Sequence, residues 1–158
     1  MSKLVAPISP SDQQIIDEML PRLNLGSGSL VVDLGCGDAR WLVAATQFSG
    51  CKCIGIDIDE ERVGLAKTII SELSLTHNIE IRLEDVFEFA RKDWAISGAD
   101  VIVVYLFREA MVEIGEILGG RLREGTQILS VGFSLTGFPC IFEGRICGIR
   151  VYLYMAKT

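Results

Sequence analysis

The sequence predicts an α/β fold: a doubly wound, Rossmann-like sheet with helices on both faces. Apolar runs of strand length alternate with helical patterns of about 10–15 residues, which is typical of right-handed βαβ units. The run at 30–34 leads into Gly35-Cys36-Gly37 and then a helical pattern, as strand, turn and helix do at ligand sites of this class. The tail holds two strand-like runs, 138–142 and 149–154, with no helix between them. We therefore expect mainly parallel strands that end in an antiparallel hairpin.

The first predicted helix covers about residues 11–23. Ser11 and Gln14 have the spacing of a capping box, and Pro21 is expected to kink or end the helix. A Gly/Ser turn over 24–29 separates this helix from the core, 29–158. One helical face carries the apolar residues Ile15, Ile16, Met19, Leu20 and Leu23.

Five predicted strands share one direction. Runs 30–34 and 101–104 show no alternation, which indicates strands buried on both faces. Run 79–83 alternates, as expected near an edge, and the remaining two strands cover 53–56 and 128–131.

Helical patterns follow the first, second and fourth of these strands. Asp59 is a candidate N-cap for the second helix. The apolar stripe of the helix after the first strand consists of Leu42, Val43, Ala45 and Phe48. That of the helix after the second strand consists of Val63, Ala66, Ile70 and Leu73, and that of the helix after the fourth strand of Met111, Ile114, Ile117 and Leu118.

Length and composition favour one domain, 1–158. The chain has 158 residues, of which 49% are hydrophobic and 23% charged, and no apolar run reaches the roughly 18 residues of a membrane span. The first residues show neither the apolar core of a signal peptide nor an Arg-rich transit pattern, so we expect a cytoplasmic protein.

Charge and cysteine content exclude several kinds of partner. The net charge is 15 − 21 = −6 and basic residues do not cluster, which makes a nucleic-acid partner unlikely. The five cysteines are odd in number and lack Cys-x-x-Cys spacing, so we expect buried thiols and predict no metal site.

The most informative pattern begins at Asp33, which is followed by the Gly35-Cys36-Gly37 turn. Dinucleotide-binding sites have a third glycine at the position where this chain has Arg40, and the Asp33 carboxylate would repel a pyrophosphate bound there. A ligand that lacks phosphates and carries an ammonium group fits better, with Asp33 facing that cation.

Acidic residues also close the next two strands. Asp57 lies 57 − 33 = 24 residues after Asp33, a spacing at which a carboxylate accepts hydrogen bonds from ribose hydroxyls. Asp85 is placed to bond an adenine amino group, with Ile58 or Val86 packed on the ring. Each acid alone is equally compatible with a structural role; together they predict a site for a positively charged adenosine derivative.

The glycine loop resembles that of class I S-adenosylmethionine-dependent methyltransferases, Asp/Glu-x-Gly-x-Gly-x-Gly, with Ala39 at the last glycine. This resemblance implies a seven-stranded sheet of order 3-2-1-4-5-7-6 whose seventh strand is antiparallel. It also implies S-adenosyl-L-methionine as cofactor. The cofactor-binding residues are then Asp33, Gly35, Cys36, Gly37, Asp57, Ile58, Asp85, Val86 and Tyr105.

Three segments are similar to a small group of lysine methyltransferases, which act on the mitochondrial ATP synthase c subunit and ADP/ATP carrier and have prokaryotic relatives. The segments cover residues 7–11, 33–40 and 144–154. Ile56-Asp57-Ile58 and the stretch 130–133 depart from the mitochondrial members. The resemblance implies a protein lysine as methyl acceptor.

The acceptor is expected to enter over the first and fourth strands, near Asp38, Tyr105 and residues 132–134. Tyr105 stands where amine and amide methyltransferases carry Asn or Asp before Pro-Pro, and no Pro-Pro follows, which argues against adenine or glutamine acceptors. Tyr105 is our candidate catalytic residue, as a hydrogen-bond acceptor for the amine, and its alternative role is packing at a strand end. Glu109, one turn into the next helix, is an alternative, acidic partner for the amine.

Three other functions stay open. A small-molecule methyltransferase and a non-catalytic partner subunit with the same fold both fit a short chain, and turnover by the lone chain would separate the second from an enzyme. A nicotinamide-dependent oxidoreductase is disfavoured by Asp33 and Arg40. Oligomeric state is not predicted.

Overall fold

A computed structural model describes residues 11–157 of the chain, with side chains from Gln13 onward. Its centre is a seven-stranded sheet of order β3-β2-β1-β4-β5-β7-β6, as predicted. The first five strands are parallel, and β7 runs antiparallel to both β5 and β6. The strands are β1 Leu30–Leu34, β2 Lys52–Asp57, β3 Ile79–Leu83, β4 Val101–Val104, β5 Gln127–Val131, β6 Cys140–Ile146 and β7 Ile149–Met155.

Helices cover both faces of the sheet. They are α1 Ser11–Met19, continued by a 3-10 turn Leu20–Arg22, then α2 Arg40–Ser49, α3 Glu60–Glu72, α4 Val86–Lys92, α5 Ala95–Gly98 and α6 Arg108–Gly119. The predicted capping box and the segment 7–11 involve residues or side chains outside the described part of the chain. Helices α4 and α5 were not predicted, because such short helices hold too few turns to show a period.

Two apolar cores lie on opposite faces of the sheet. The first includes Leu42 from α2 and Ala66 from α3, and the second includes Phe89 from α4 and Ile114 from α6. The five predicted apolar residues of the first helix are all buried in the first core. The central strands β1 and β4 therefore have apolar neighbours on both faces, which explains their continuous apolar runs.

Two residues of the predicted helical stripes are exposed. Phe48 is 54% exposed because it lies six residues after Leu42, about 120° around the helix from that inward-facing side chain. Leu73 is 45% exposed and follows the last residue of α3, where the helix no longer lies against the sheet.

Gly55 allows α2 to approach β2 closely. A Cβ atom at Gly55 would lie 2.7 Å from Leu42 Cδ1, 2.8 Å from Ile81 Cδ1 and 2.9 Å from Cys36 Cβ. These separations are shorter than van der Waals contact, so a side chain at this position would push α2 and the residues before it away from the sheet.

The C-terminal hairpin is longer than predicted. Strand β6 continues to Ile146 rather than ending at Phe142, and the turn consists of Cys147 and Gly148 alone. Both turn residues have positive φ, 51° and 79°, as the two-residue turns that fit the twist of a hairpin require.

None of the helices within residues 11–157 has the length and apolar character needed to cross a bilayer.

Candidate functional site

The candidate site lies where the parallel strands end. The order of the strands reverses between β1 and β4, and the crevice at such a switch point is where open α/β sheets bind ligands. The loops after β1, β2 and β3 meet at this edge.

The glycine loop after β1 is held against the end of β2. The backbone N–H groups of Gly35 and Cys36 both donate to the Ile56 carbonyl, at 2.8 and 3.0 Å. Gly35 and Gly37 have φ of 90° and 56°, conformations that a side chain would strain. The loop can therefore turn sharply and present backbone to a ligand without intervening Cβ atoms.

Ala39 occupies a position at which the resembling family has glycine. It is the N-cap of α2 with φ of 68°, a left-handed conformation that costs an L-residue about 1–2 kcal/mol. The loop thus keeps the glycine geometry despite the alanine.

Asp33 is a buried carboxylate for which the described part of the chain supplies no ion-pair partner. Its side chain lies at the end of β1 with 1% exposure, and within residues 11–157 its Oδ1 atom finds no hydrogen-bond partner. Burial first, then the charges of Asp57 and Asp38, raises the pKa of Asp33 well above its ordinary value. Such a group favours a cation, and the ammonium of an amino-acid moiety fits this requirement.

Asp57 at the end of β2 connects the two loops. One carboxylate oxygen accepts the N–H of Gly37 at 2.8 Å, and the other accepts the N–H of Asp59 at 2.9 Å. The side chain is fully buried, and each oxygen keeps a second lone pair that can accept a ribose hydroxyl. No local sequence pattern predicts the hydrogen bond between Asp57 and the Gly37 N–H, because the two residues are 20 positions apart.

The loops after β2 and β3 each begin a helix with an aspartate cap. Asp59 Oδ1 accepts the N–H groups of Glu61 and Arg62 at 3.0 and 3.2 Å, as predicted. Asp85 Oδ1 likewise accepts from Phe87 and Glu88 at 2.8 and 3.2 Å, so it has a structural role beside the predicted one.

Ile58 and Val86 differ in exposure. Val86 is 1% exposed and packs in the second core, whereas Ile58 is 43% exposed at the end of β2. Of these two side chains, Ile58 is the one that can contact an adenine ring. Val86 holds the start of α4 against the sheet.

Cys36 supports the loop from below. Its side chain is 6% exposed in the first core, and burial first, with the charge of Asp33 next, raises the pKa of its thiol well above the usual value. Cys36 therefore stays a neutral thiol that packs between α2 and β2.

The predicted acceptor side of the site consists of residues that follow β4 and β5. Tyr105 follows β4 and is half-buried against the first core. The guanidinium of Arg108 lies 5.3 Å from the centre of the Phe133 ring, in the loop after β5. That loop is held by a hydrogen bond from Ser130 Oγ to the Phe133 carbonyl and by one from the Leu135 N–H to the Tyr154 hydroxyl at 2.9 Å. The sequence pointed to this loop but not to Arg108.

The structure thus joins Asp33, Gly35, Gly37 and Asp57 in one contiguous group. Asp85 and Tyr105 lie at the ends of other strands along the same edge. The roles assigned to these side chains stay predictions. Among the residues described, no group of three or more His, Cys, Asp and Glu side chains is arranged to hold a metal ion.

Comparison with known proteins places the chain in a family. The model of the ANTKMT methyltransferase domain matches residues 33–141. A protein-lysine N-methyltransferase of Saccharolobus islandicus is 29% identical over 133 residues, which cover 84% of this chain and 80% of that protein. A ribosomal protein L11 methyltransferase of Vibrio cholerae is 31% identical over 127 residues, and this chain spans 40% of its length.

A solved structure agrees in fold. An RNA methyltransferase from Salinibacter ruber, in complex with S-adenosyl-L-homocysteine, superposes with a TM-score of 0.83 at 27% identity, over 95% of this chain and 93% of that one. The predicted family, sheet order and cofactor are confirmed. The chain belongs to the ANTKMT methyltransferase domain family, and its methyl donor is S-adenosylmethionine.

Proposed function

We propose that this protein methylates lysine side chains of other proteins. S-adenosylmethionine supplies the activated methyl group when bound. The chain's own contribution is to hold the donor between β1 and β2 and to admit a neutral amine beside Tyr105.

The buried Oδ1 atom of Asp33, which has no hydrogen-bond partner among residues 11–157, is the observation that carries the donor half of this proposal. A buried acid whose Oδ1 lacks a partner among residues 11–157 is costly unless a ligand supplies a positive group. Asp57, in hydrogen-bond contact with the same loop, offers lone pairs for a ribose.

Charge at the opening supports a cationic acceptor. Exposed Glu84 follows β3, and exposed Glu109 lies in the first turn of α6 beside Arg108; Asp38 in the glycine loop is paired with Arg40 at 3.3 Å. The whole chain carries a net charge of −6. Such a surface attracts basic protein segments and repels phosphate backbones.

A lysine must lose its proton before it can attack. From an ordinary pKa of about 10.4, forming the neutral amine at pH 7 costs about 5 kcal/mol. We assign to Tyr105, which follows β4 and is half-buried, the role of accepting a hydrogen bond from that amine.

RNA is the second candidate acceptor, because the Salinibacter ruber structure is that of an RNA methyltransferase. The acidic balance of this chain argues against it. The two substrate classes therefore need a direct test.

Cell lysate incubated with the protein and methyl-labelled S-adenosylmethionine provides that test. We expect label that protease removes and ribonuclease does not, and methyllysine after acid hydrolysis. Asp57→Ala serves as the control for labelling by lysate enzymes. Label removed by ribonuclease, or label found only in small molecules, would reject the lysine proposal.

A further inference from the structure

A pair of cysteines lies at the opposite end of β2 from the site. Cys51 immediately precedes β2 and Cys53 is its second residue, so both side chains point to the same face of the strand. Cys53 is four residues before Asp57, about 13 Å along the strand. Neither thiol belongs to the candidate cofactor site.

The two sulfur atoms are in hydrogen-bond contact, at 3.7 Å. The Thr46 hydroxyl lies 3.3 Å from Cys53 Sγ and donates to the Cys51 carbonyl at 3.3 Å, which fixes the pair between α2 and β2. Both cysteines are buried. The thiols therefore face each other in a defined geometry.

The remaining cysteines are different. Cys36 supports the glycine loop, while Cys140 and Cys147 are exposed. The sulfur of Cys147 contacts Gln14 Oε1 at 2.9 Å, and that of Cys140 contacts the Phe142 carbonyl at 3.3 Å. Within residues 11–157, the thiol–thiol contact is found at Cys51 and Cys53.

We propose that Cys51 and Cys53 are a redox modification site, which hydrogen peroxide converts to an intramolecular disulfide. One thiol of the pair loses its proton and attacks a peroxide oxygen, the O–O bond breaks, and a sulfenic acid and a hydroxide form; the released proton converts the hydroxide to water. The second sulfur then attacks the sulfenic sulfur, the S–S bond forms, and the proton of the second thiol leaves with the hydroxyl as a second water. Two thiols lose two electrons in total, and one peroxide is reduced to two waters.

The contact between the two thiols favours the loss of one proton from the pair. When one sulfur is a thiolate, the neighbouring thiol at 3.7 Å can donate a hydrogen bond to it. Either cysteine can therefore be the attacking sulfur, and the other is then the resolving thiol.

The test uses the full chain with Cys140→Ser and Cys147→Ser, which removes the exposed thiols and leaves Cys36, Cys51 and Cys53. The protein is treated with hydrogen peroxide, quenched with catalase, denatured, labelled with N-ethylmaleimide and weighed intact. We expect one maleimide adduct instead of three, a protein mass about 2 Da lower, and recovery of all three adducts after a phosphine reductant.

Matched variants complete the experiment. Adding Cys51→Ser or Cys53→Ser to the same background should abolish the loss of about 2 Da, because the remaining thiol of the pair has no neighbour with which to form a disulfide. Thermal unfolding verifies that each variant is folded. Three adducts after an exposure that oxidises Cys140 and Cys147 in the parent protein would overturn the proposal. Oxygen addition without a disulfide at the pair would overturn it as well.

Discussion

Asp33→Asn is expected to stabilise the protein without ligand and to weaken its binding of the cofactor product. The substitution keeps the shape of the side chain and removes its charge. In the structure that charge is buried at the end of β1, with Oδ1 unpartnered among residues 11–157 and with Asp57 and Asp38 raising its pKa further after burial.

The stability gain depends on pH. As the pH rises above about 3.9, the unfolded chain ionises Asp33 first, so the stability of the wild type falls until the pH passes the raised pKa of the folded state. The asparagine variant lacks this loss. A buried unsatisfied group costs about 1–3 kcal/mol, and the amide offsets part of the gain with new buried donors. We expect unfolding about 2 °C or more higher at pH 7.5, with little difference near pH 4.

Binding should change in the opposite direction. Removing one partner of a buried ion pair costs about 2 kcal/mol or more, which corresponds to about 30-fold weaker binding of S-adenosylhomocysteine. Thermal unfolding at the two pH values and calorimetric titration measure both effects. Asp17→Asn, which changes an exposed carboxylate on α1, should alter stability by less than about 0.5 kcal/mol. A lower unfolding temperature for Asp33→Asn at pH 7.5, or unchanged affinity, would refute the reasoning.

Three further predictions follow from the same structure. Gly55→Ala should lower the free energy of unfolding by about 1–3 kcal/mol in urea titrations, because the new Cβ would lie within 3 Å of three side chains. Gly64→Ala, on the exposed surface of α3, should raise the free energy of unfolding by about 0.5–1 kcal/mol, because its Cβ would meet nothing within 4 Å. Equal effects of the two substitutions would contradict the packing argument. Asp57→Ala should weaken S-adenosylhomocysteine binding at least about tenfold in calorimetry, because both the Gly37 N–H and the ribose hydroxyls lose their hydrogen-bond acceptor. Ile58→Ala should weaken the same binding only a few-fold. A larger loss of affinity for Ile58→Ala than for Asp57→Ala would be incompatible with the site. The methylation rate of a lysine peptide should rise about tenfold per pH unit from pH 7 to 9, since only the neutral amine reacts, and a flat profile would exclude that rate law.

The sheet could be predicted because its signals are local. Continuous apolar runs at β1 and β4 indicate burial on both faces of these strands. Asp59 indicates the start of a helix, because it accepts hydrogen bonds from the backbone N–H groups two and three residues later. The resemblance of the glycine loop then supplied the strand order. Helices α4 and α5 were missed because they are too short to carry a period.

Parts of the site could not be read in this way. The exposure of Ile58, the burial of Val86 and the extension of β6 depend on which element covers each position. Even Phe48, whose spacing suggests an inward stripe, is exposed because of its rotation around α2.

The sequence by itself determined the βαβ pattern, the glycine loop and the acids that end three strands, because periodicity, caps and turns depend on neighbours a few residues apart. Only the tertiary structure decided that Asp57 bonds the Gly37 N–H, that Asp33 Oδ1 is left without a hydrogen-bond partner among residues 11–157, and that the Thr46 hydroxyl of α2 reaches Cys53 Sγ of β2. These contacts arise when the register of β1 and β2 and the packing of α2 bring distant segments together, and no local interaction in the chain specifies them.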